Sequence, residues 1–138
     1  QLRADLAARL ASGKVSDAGK TYLIYILGEM RAAEAVEPLL DAIDFKTRRD
    51  GSGMHARWDQ RPAELALRSL GFASVRAIMR RLPSESVELR RQLMCEVLDN
   101  LLGRAVSRAM LDDALQNEQN MQRREGWREA IRSQEATP

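Results

Sequence analysis

Aromatic side chains, cysteine and histidine are scarce in this sequence of 138 residues. Aromatic residues make up 4% of the chain, which disfavours a β-sheet fold because strands are enriched in aromatic and β-branched side chains. Cys95 is the single cysteine, so no internal disulfide can form and the redox compartment is not indicated. His55 is the single histidine, so a typical zinc site of histidine and cysteine ligands cannot be assembled. No cofactor is expected.

Charge and hydropathy set further limits. The net charge of +2 is too small to require an anionic partner. No stretch approaches the ~20 apolar residues of a membrane-spanning helix, so no membrane association is expected. The chain opens on Gln1 rather than methionine, so the missing signal peptide carries little weight. The compartment stays open, with the cytoplasm favoured.

The stretch from Tyr22 to Ile43 predicts a helical hairpin. Ser16 or Asp17 can cap the first helix, and Gly28 is expected at its end in the left-handed conformation. Pro38 fits the first turn of the second helix, so that helix is expected to begin near residues 33–35. The apolar face of the first helix comprises Leu23, Ile24, Ile26, Leu27 and Met30, and that of the second Val36, Leu39, Leu40 and Ile43.

Two weaker copies of this hairpin follow. Leu70-Gly71 and Leu102-Gly103 repeat Leu27-Gly28. The first copy pairs a helix from Pro62 to Leu70 with one from Ser74 to Leu82. Its first helix is predicted to turn Leu65, Ala66, Ser69 and Leu70 inward.

The remaining segments also read as helical. Leu2, Leu6 and Leu10 predict a short first helix that stops at Gly13, and Ser84 or Ser86 is expected to cap a long helix ending at Leu102. Residues 117–138 predict a C-terminal capping helix and tail with three sparse anchors and a frayed end from Ser133. The anchors are Met121, Trp127 and Ile131. The predicted core comprises Leu27, Leu39, Leu70, Ile78, Val97, Leu98, Leu101 and Val106, with Val87 also facing inward.

The segment LGEMRAAEAVEPLLDAI resembles the HEAT-like repeat of the type found in phycobilin lyases. The second unit lacks the proline, and the third keeps only Leu102, Gly103, Val106 and the spacing. The resemblance implies an all-α solenoid of about three HEAT-like hairpins, which we expect to form a single domain over residues 1–138. It also implies an interaction scaffold and, in some members, a lyase-like enzyme.

The segment 46–61 interrupts the repeats. It contains Gly51-Ser52-Gly53 and no sustained periodicity, which predicts a loop insertion. Its candidate binding residues are Arg48, Arg49, His55, Arg57 and Trp58. Together with Arg76, Arg80 and Arg81, this loop supports an alternative function in nucleic-acid binding. A Ser-His-Asp triad has no G-x-S-x-G motif to support it, and Cys95 reads as a core-edge thiol rather than a nucleophile.

Charges on the second helix of each hairpin form the most informative pattern. In HEAT-like stacks these helices line the concave face, which makes the charges candidate partner-binding residues. The set is Glu34, Glu37, Asp41, Arg76, Arg80, Arg81, Arg104 and Arg108. A groove of mixed sign fits a protein or peptide partner better than a phosphate track, although the same charges could pair between repeats. We therefore expect non-enzymatic protein binding, as a scaffold or as a helper domain of a larger protein.

Overall fold

The computed structural model describes residues 1–47 and 61–138. This part of the chain is all-α, as predicted, and contains no strand. Its eight α-helices are α1 (Leu2–Ala11), α2 (Asp17–Glu29), α3 (Val36–Asp41), α4 (Pro62–Ser69), α5 (Phe72–Arg81), α6 (Glu88–Leu102), α7 (Arg104–Asn117) and α8 (Met121–Ala136). Short 3-10 turns lie at Ala33–Ala35 and Leu82–Ser84. Within the described residues, no helix is both long and apolar enough to cross a membrane.

Several helix ends lie where local sequence chemistry places them. The Ser16 hydroxyl accepts a hydrogen bond from the Gly19 amide and caps α2 as predicted. Pro62 occupies the first turn of α4, where its missing N–H costs nothing. Gly71 and Gly103 have φ values of +60° and +83°, so both Leu-Gly pairs end their helices in backbone that favours glycine.

The prediction that Gly28 ends the first helix in the left-handed conformation is wrong. Gly28 is buried inside α2 in ordinary helical backbone, and Arg31 takes the left-handed conformation with φ 49°. A Cβ atom at Gly28 would lie 3.0 Å from the Cα and Cβ atoms of Ala66. This glycine is therefore required by the close approach of α2 and α4 rather than by a turn.

The chain divides into two compact units, residues 1–73 and 74–138, and the boundary falls in the first turn of α5. In the first unit, α2 packs on α1 and α4, and α3 packs on the same two helices. Its core comprises Ala7, Leu10, Leu23, Ile24, Leu27, Ala32, Ala35, Leu39, Leu40, Ala42, Ile43, Ala63, Ala66 and Leu67. The predicted arrangement as one domain and one solenoid stays a prediction.

The inward face of α4 differs from the predicted one. Ala63, Ala66 and Leu67 are buried, whereas Leu65 is half-buried and Ser69 is exposed. The face of α4 that contacts α2 and α3 is therefore centred on Ala63, Ala66 and Leu67. Ala66 is small enough for α4 to approach Gly28 of α2 closely.

The second unit is built on α6, α7 and α8, which pack on one another. In addition, α8 packs on the 3-10 turn Leu82–Ser84. The apolar core comprises Val75, Ala77, Ile78, Leu82, Leu93, Met94, Cys95, Val97, Leu98, Leu111, Trp127, Ala130 and Ile131. A Cβ atom at Gly126 would lie 1.8 Å from the Pro83 carbonyl oxygen, so only glycine fits where α8 crosses this turn.

The predicted cap of α6 is wrong. Neither Ser84 nor Ser86 caps it; the N-cap residue is Val87, whose own side chain is exposed rather than inward-facing. The Glu85 carboxylate accepts the Val87 amide instead, at 3.3 Å. A longer acidic side chain thus supplies the acceptor that a serine was expected to provide.

The predicted core is confirmed for five of its eight members: Leu27, Leu39, Ile78, Val97 and Leu98. Leu70 and Leu101 are half-buried, and Val106 is 52% exposed. On α7 the buried positions are Ser107 and Leu111, so its inward face begins one residue after the predicted core position Val106. A serine occupies that face because it hydrogen-bonds inside the unit, which apolar periodicity alone cannot show.

The expected C-terminal helix is α8, with Trp127 and Ile131 buried as predicted. Met121 is exposed and is not an anchor. The expected fraying from Ser133 is wrong, because α8 continues to Ala136 and buries Ser133 and Gln134. Hydrogen bonds to Arg91 and Asp99 of α6 and to Ser107 of α7 hold this end in place.

Candidate interaction surfaces

The charged residues predicted to bind a partner belong to two units. Glu34, Glu37 and Asp41 are exposed on the 3-10 turn at residues 33–35 and on α3, in the first unit. Arg76 and Arg80 are exposed on α5 and Arg81 is half-buried, all three in the second unit. The prediction that these charges share one concave face stays a prediction.

Arg104 and Arg108 contact the end of α8. The Arg104 guanidinium donates to the backbone oxygens of Gln134 at 2.7 Å and Thr137 at 2.9 Å. Arg108 donates to Glu135 at 2.8 Å and to Asp112 at 3.1 Å, and these hydrogen bonds raise the pKa of Arg108. Both arginines therefore have a structural role within the second unit that the sequence pattern does not indicate.

The predicted loop residues are not covered by the structure. Arg48, Arg49, His55, Arg57 and Trp58 lie outside the described residues. The described chain on either side of them contacts the rest of the first unit. The Arg61 guanidinium donates to the Asp44 carbonyl oxygen at 2.9 Å, and the Lys20 ammonium lies 4.6 Å from the centroid of the Phe45 ring.

An exposed apolar face on α2 is the most distinctive surface in the first unit. Tyr22 is 70% exposed, Tyr25 41% and Ile26 39%. They follow one another at helical neighbour spacings, with Ala18 one turn before and Glu29 one turn after, and both are exposed. We define these five residues as the α2 face. It contains both tyrosines of the chain.

The sequence pattern does not indicate the α2 face, because it places Ile26 on the inner stripe. The structure turns Leu23, Ile24 and Leu27 inward and Ile26 outward. One feature of the sequence does point to it: every residue from Tyr22 to Leu27 is apolar or aromatic, which is more than one buried stripe requires. Single exposed apolar residues are common, whereas adjacent ones on one helix face are candidates for an interaction surface.

Negative charge follows the α2 face along the chain. Glu29 lies in the last turn of α2, where the helix dipole disfavours a carboxylate, and no basic residue offsets it there. Between residues 29 and 44 the exposed basic side chain is Arg31, against five exposed carboxylates: Glu29, Glu34, Glu37, Asp41 and Asp44. Within residues 1–47 and 61–138, no side chain pairs with Glu29 or Glu34.

A buried polar cluster joins the three main helices of the second unit. The Gln134 amide donates to Asp99 and to the Ser107 hydroxyl, both at 2.8 Å, and that hydroxyl also donates to Asp99. Ser107 and Gln134 are fully buried. The cluster fixes the register of α6, α7 and α8, because sliding any one of them would leave buried polar groups unpaired.

Cys95 is also interior. Its side chain is fully buried, and the thiol donates to the Ala130 carbonyl oxygen at 3.5 Å. Burial, followed by the charge of Asp99, raises the pKa of Cys95 to about 12. The thiol is therefore neutral near pH 7 and lies inside the core rather than at its predicted edge, which disfavours a role as a nucleophile.

Glu85 makes the stability of the fold depend on pH in the acidic range. Partial burial alone would raise its pKa, but hydrogen bonds from Arg90 at 2.7 Å and from the Val87 amide, with nearby arginine charge, lower it below 4.5. A carboxylate whose pKa is lower in the folded than in the unfolded state stabilises the fold at pH values above its unfolded-state pKa. This stabilisation is lost as the pH falls through the folded-state pKa.

We therefore expect Glu85→Gln to reduce the free energy of unfolding at about pH 7 and to cost less at about pH 3, where more of the Glu85 carboxylate is protonated. Denaturant titrations of both proteins at the two pH values measure this difference. An equal loss at both would show that the Glu85 charge does not stabilise the start of α6. Glu88→Gln is the matched control, because Glu88 lies at the same helix end and, among the residues that the structure describes, its carboxylate accepts a hydrogen bond only from Gln92, at 3.3 Å.

No cluster of three metal-ligating side chains occurs in the described part of the chain. Comparisons with protein-family models, curated proteins and solved structures found no match to this chain. The α2 face and its charge are thus the features on which a functional argument can rest.

Proposed function

We propose that this chain is a non-catalytic helical repeat domain that binds a protein partner through the α2 face. The single observation that supports the proposal is the outward placement of Tyr22, Tyr25 and Ile26 on a helix whose opposite side is buried. Leaving this much apolar surface in water is unfavourable by ~25 cal/mol per Å², and a partner that covers it recovers that free energy. Tyrosine is also enriched among residues that dominate binding energies.

The HEAT-like character is part of the same proposal. Packing of alternate helices supports it, since α1 packs on α3, α2 on α4, and α6 on α8. Each hairpin of such a stack contacts its neighbours and leaves outer helix faces for binding. A role as a scaffold or as a helper domain of a larger protein follows from this arrangement.

The proposal is tested by capture from an extract of the source cells. Immobilised wild-type chain should retain a partner, and Tyr22→Gln with Ile26→Gln should abolish retention while leaving the melting temperature nearly unchanged. Val106→Gln is the matched control, because Val106 is a similarly exposed apolar residue on another helix. Equal retention by all three proteins would overturn the α2 face as the site.

Nucleic-acid binding is the second candidate, favoured by the exposure of Arg76 and Arg80 one helical turn apart on α5. The same capture experiment separates it from protein binding. Treating the extract with nuclease should leave the retained partner unchanged. If nuclease removes it, and retention falls steeply between about 50 and 200 mM salt, the arginines of α5 rather than the α2 face are the site.

A further inference from the structure

We infer that α1, residues 2–11, is a strap that detaches from the first unit as one piece, turning about residues 12–16 and uncovering an apolar surface. The inference does not depend on the proposed binding site on α2. Three properties of α1 support it: the small number of side chains that it buries, the local character of its hydrogen bonds, and the conformation of its connection to α2.

Few side chains of α1 contribute to the core of the first unit. Of its ten residues, Ala7 and Leu10 are buried, Leu6 is half-buried and the other seven are exposed. The helix nevertheless packs on α2, on the 3-10 turn Ala33–Ala35 and on α3. One alanine and one leucine therefore supply most of the apolar burial that holds α1 against three elements, and this driving force is proportional to the buried area.

Polar contacts do not add to this attachment. The side-chain hydrogen bonds of α1 are local: the Gln1 amide donates to Asp5 at 2.9 Å, and the Ser12 hydroxyl donates to the Arg9 carbonyl oxygen at 2.7 Å. Within residues 1–47 and 61–138, no hydrogen bond or ion pair joins α1 to another helix. Detaching α1 therefore leaves no buried polar group without a partner.

The connection between α1 and α2 is suited to a hinge. Gly13 has φ +68°, in backbone that favours glycine. Among the described residues, a Cβ atom at Gly13 would have no atom of a more distant residue within 4 Å. Residues 12–14 are exposed, so this connection is not packed into the unit. Rotation here would move α1 as one piece while Ser16 continues to cap α2.

The last helix, α8, is attached in a different way. It buries Trp127, Ala130 and Ile131, and its final turns are hydrogen-bonded to α6 and α7 through Ser133 and Gln134. Removing α8 would leave buried polar groups unpaired, which is costly. We therefore expect α8 to stay attached under conditions in which α1 detaches, and α8 serves as an internal control.

Amide hydrogen exchange of the whole chain tests the strap. The hydrogen-bonded amides of α1 should show one common protection factor, at least about 100-fold below those at the centres of α2 and α8. A common value distinguishes release of the whole helix from fraying, in which protection rises progressively away from Gln1. Protection that is graded in this way, or equal in α1 and α2, would overturn the inference.

Two leucine substitutions on α1 form a matched pair. Leu10→Ala truncates the largest buried side chain of the strap and should lower the protection of α1 by about tenfold or more. Leu2→Ala is the control, because Leu2 lies on the same helix and is 62% exposed, and it should change the protection of α1 by less than about twofold. Equal effects of the two substitutions, or α1 amides without any protection in the wild type, would contradict attachment through Leu10.

Thiol labelling detects the surface that α1 uncovers. Ala35 is fully buried in the 3-10 turn on which α1 packs, and Cys95 is fully buried in the second unit. In the Ala35→Cys protein without denaturant, the introduced thiol should react at least about 100-fold faster than Cys95. Adding Leu10→Ala should raise the reaction rate of the introduced thiol by about tenfold or more. Equal rates at the two thiols would show that α1 leaves only when the whole chain unfolds, which would overturn the inference.

Discussion

Replacing Gly126 by alanine is expected to be among the most destabilising single substitutions in the second unit. The added methyl group would lie 1.8 Å from the Pro83 oxygen, 2.6 Å from its carbonyl carbon and 2.9 Å from its Cα atom. All three are backbone atoms, so relief requires α8 to move away from the 3-10 turn. Overpacking of this kind costs ~3 kcal/mol or more, against a gain of ~1 kcal/mol in helix propensity.

Denaturant unfolding of Gly126→Ala measures the net loss, which we expect to be about 2 kcal/mol or more. Gly19→Ala is the matched control. That glycine also lies in a helix, but the closest neighbour of its added methyl group would be a side-chain atom, the Cγ1 of Val15. A Gly126→Ala protein as stable as wild type would show that α8 does not cross Pro83 as described.

Leu27→Asp and Ile26→Asp are expected to differ widely in their loss of folding stability, although the two residues are adjacent in the sequence. Leu27 is fully buried in the first unit, so aspartate there places an unpaired charge in the core and costs about 4 kcal/mol. Ile26 belongs to the α2 face, and aspartate there should cost about 1 kcal/mol or less, mainly in helix propensity.

Thermal and denaturant unfolding of the two variants compare the two sides of α2 directly. The sequence pattern alone assigns both residues to one apolar stripe and predicts similar losses. Similar losses in experiment would therefore mean that Ile26 is covered in the folded protein, and the α2 face would have to be redrawn.

Much of the helical framework could be predicted from sequence because its signals are local. Ser16 caps α2 through a side chain three residues from its partner, and Gly71 and Gly103 provide backbone freedom at their own positions. Pro62 acts through its own ring. Each of these effects depends on a few neighbouring residues and is visible without knowledge of the fold.

The remaining features depend on contacts between distant segments. Gly28 and Gly126 look alike in sequence, yet each is required by a different neighbour, Ala66 and the turn at Pro83. The polar end of α8 reads as a frayed tail because the partners of Gln134 lie 27 and 35 residues away. The outward turn of Ile26 follows from where α1 and α4 contact α2, which periodicity cannot determine in a helix that is apolar on several sides.

Photo-crosslinking from the α2 face tests the central claim most directly. A benzophenone amino acid is placed at Tyr22 or Ile26 and, as controls, at Val106 or Met121, which are also exposed and apolar. We predict that positions 22 and 26 form a crosslinked species with a protein partner in source-cell extract, that excess unlabelled wild type suppresses it, and that positions 106 and 121 do not form it. Crosslinking of the same species from positions 106 and 121, or from none of the four, would contradict the account.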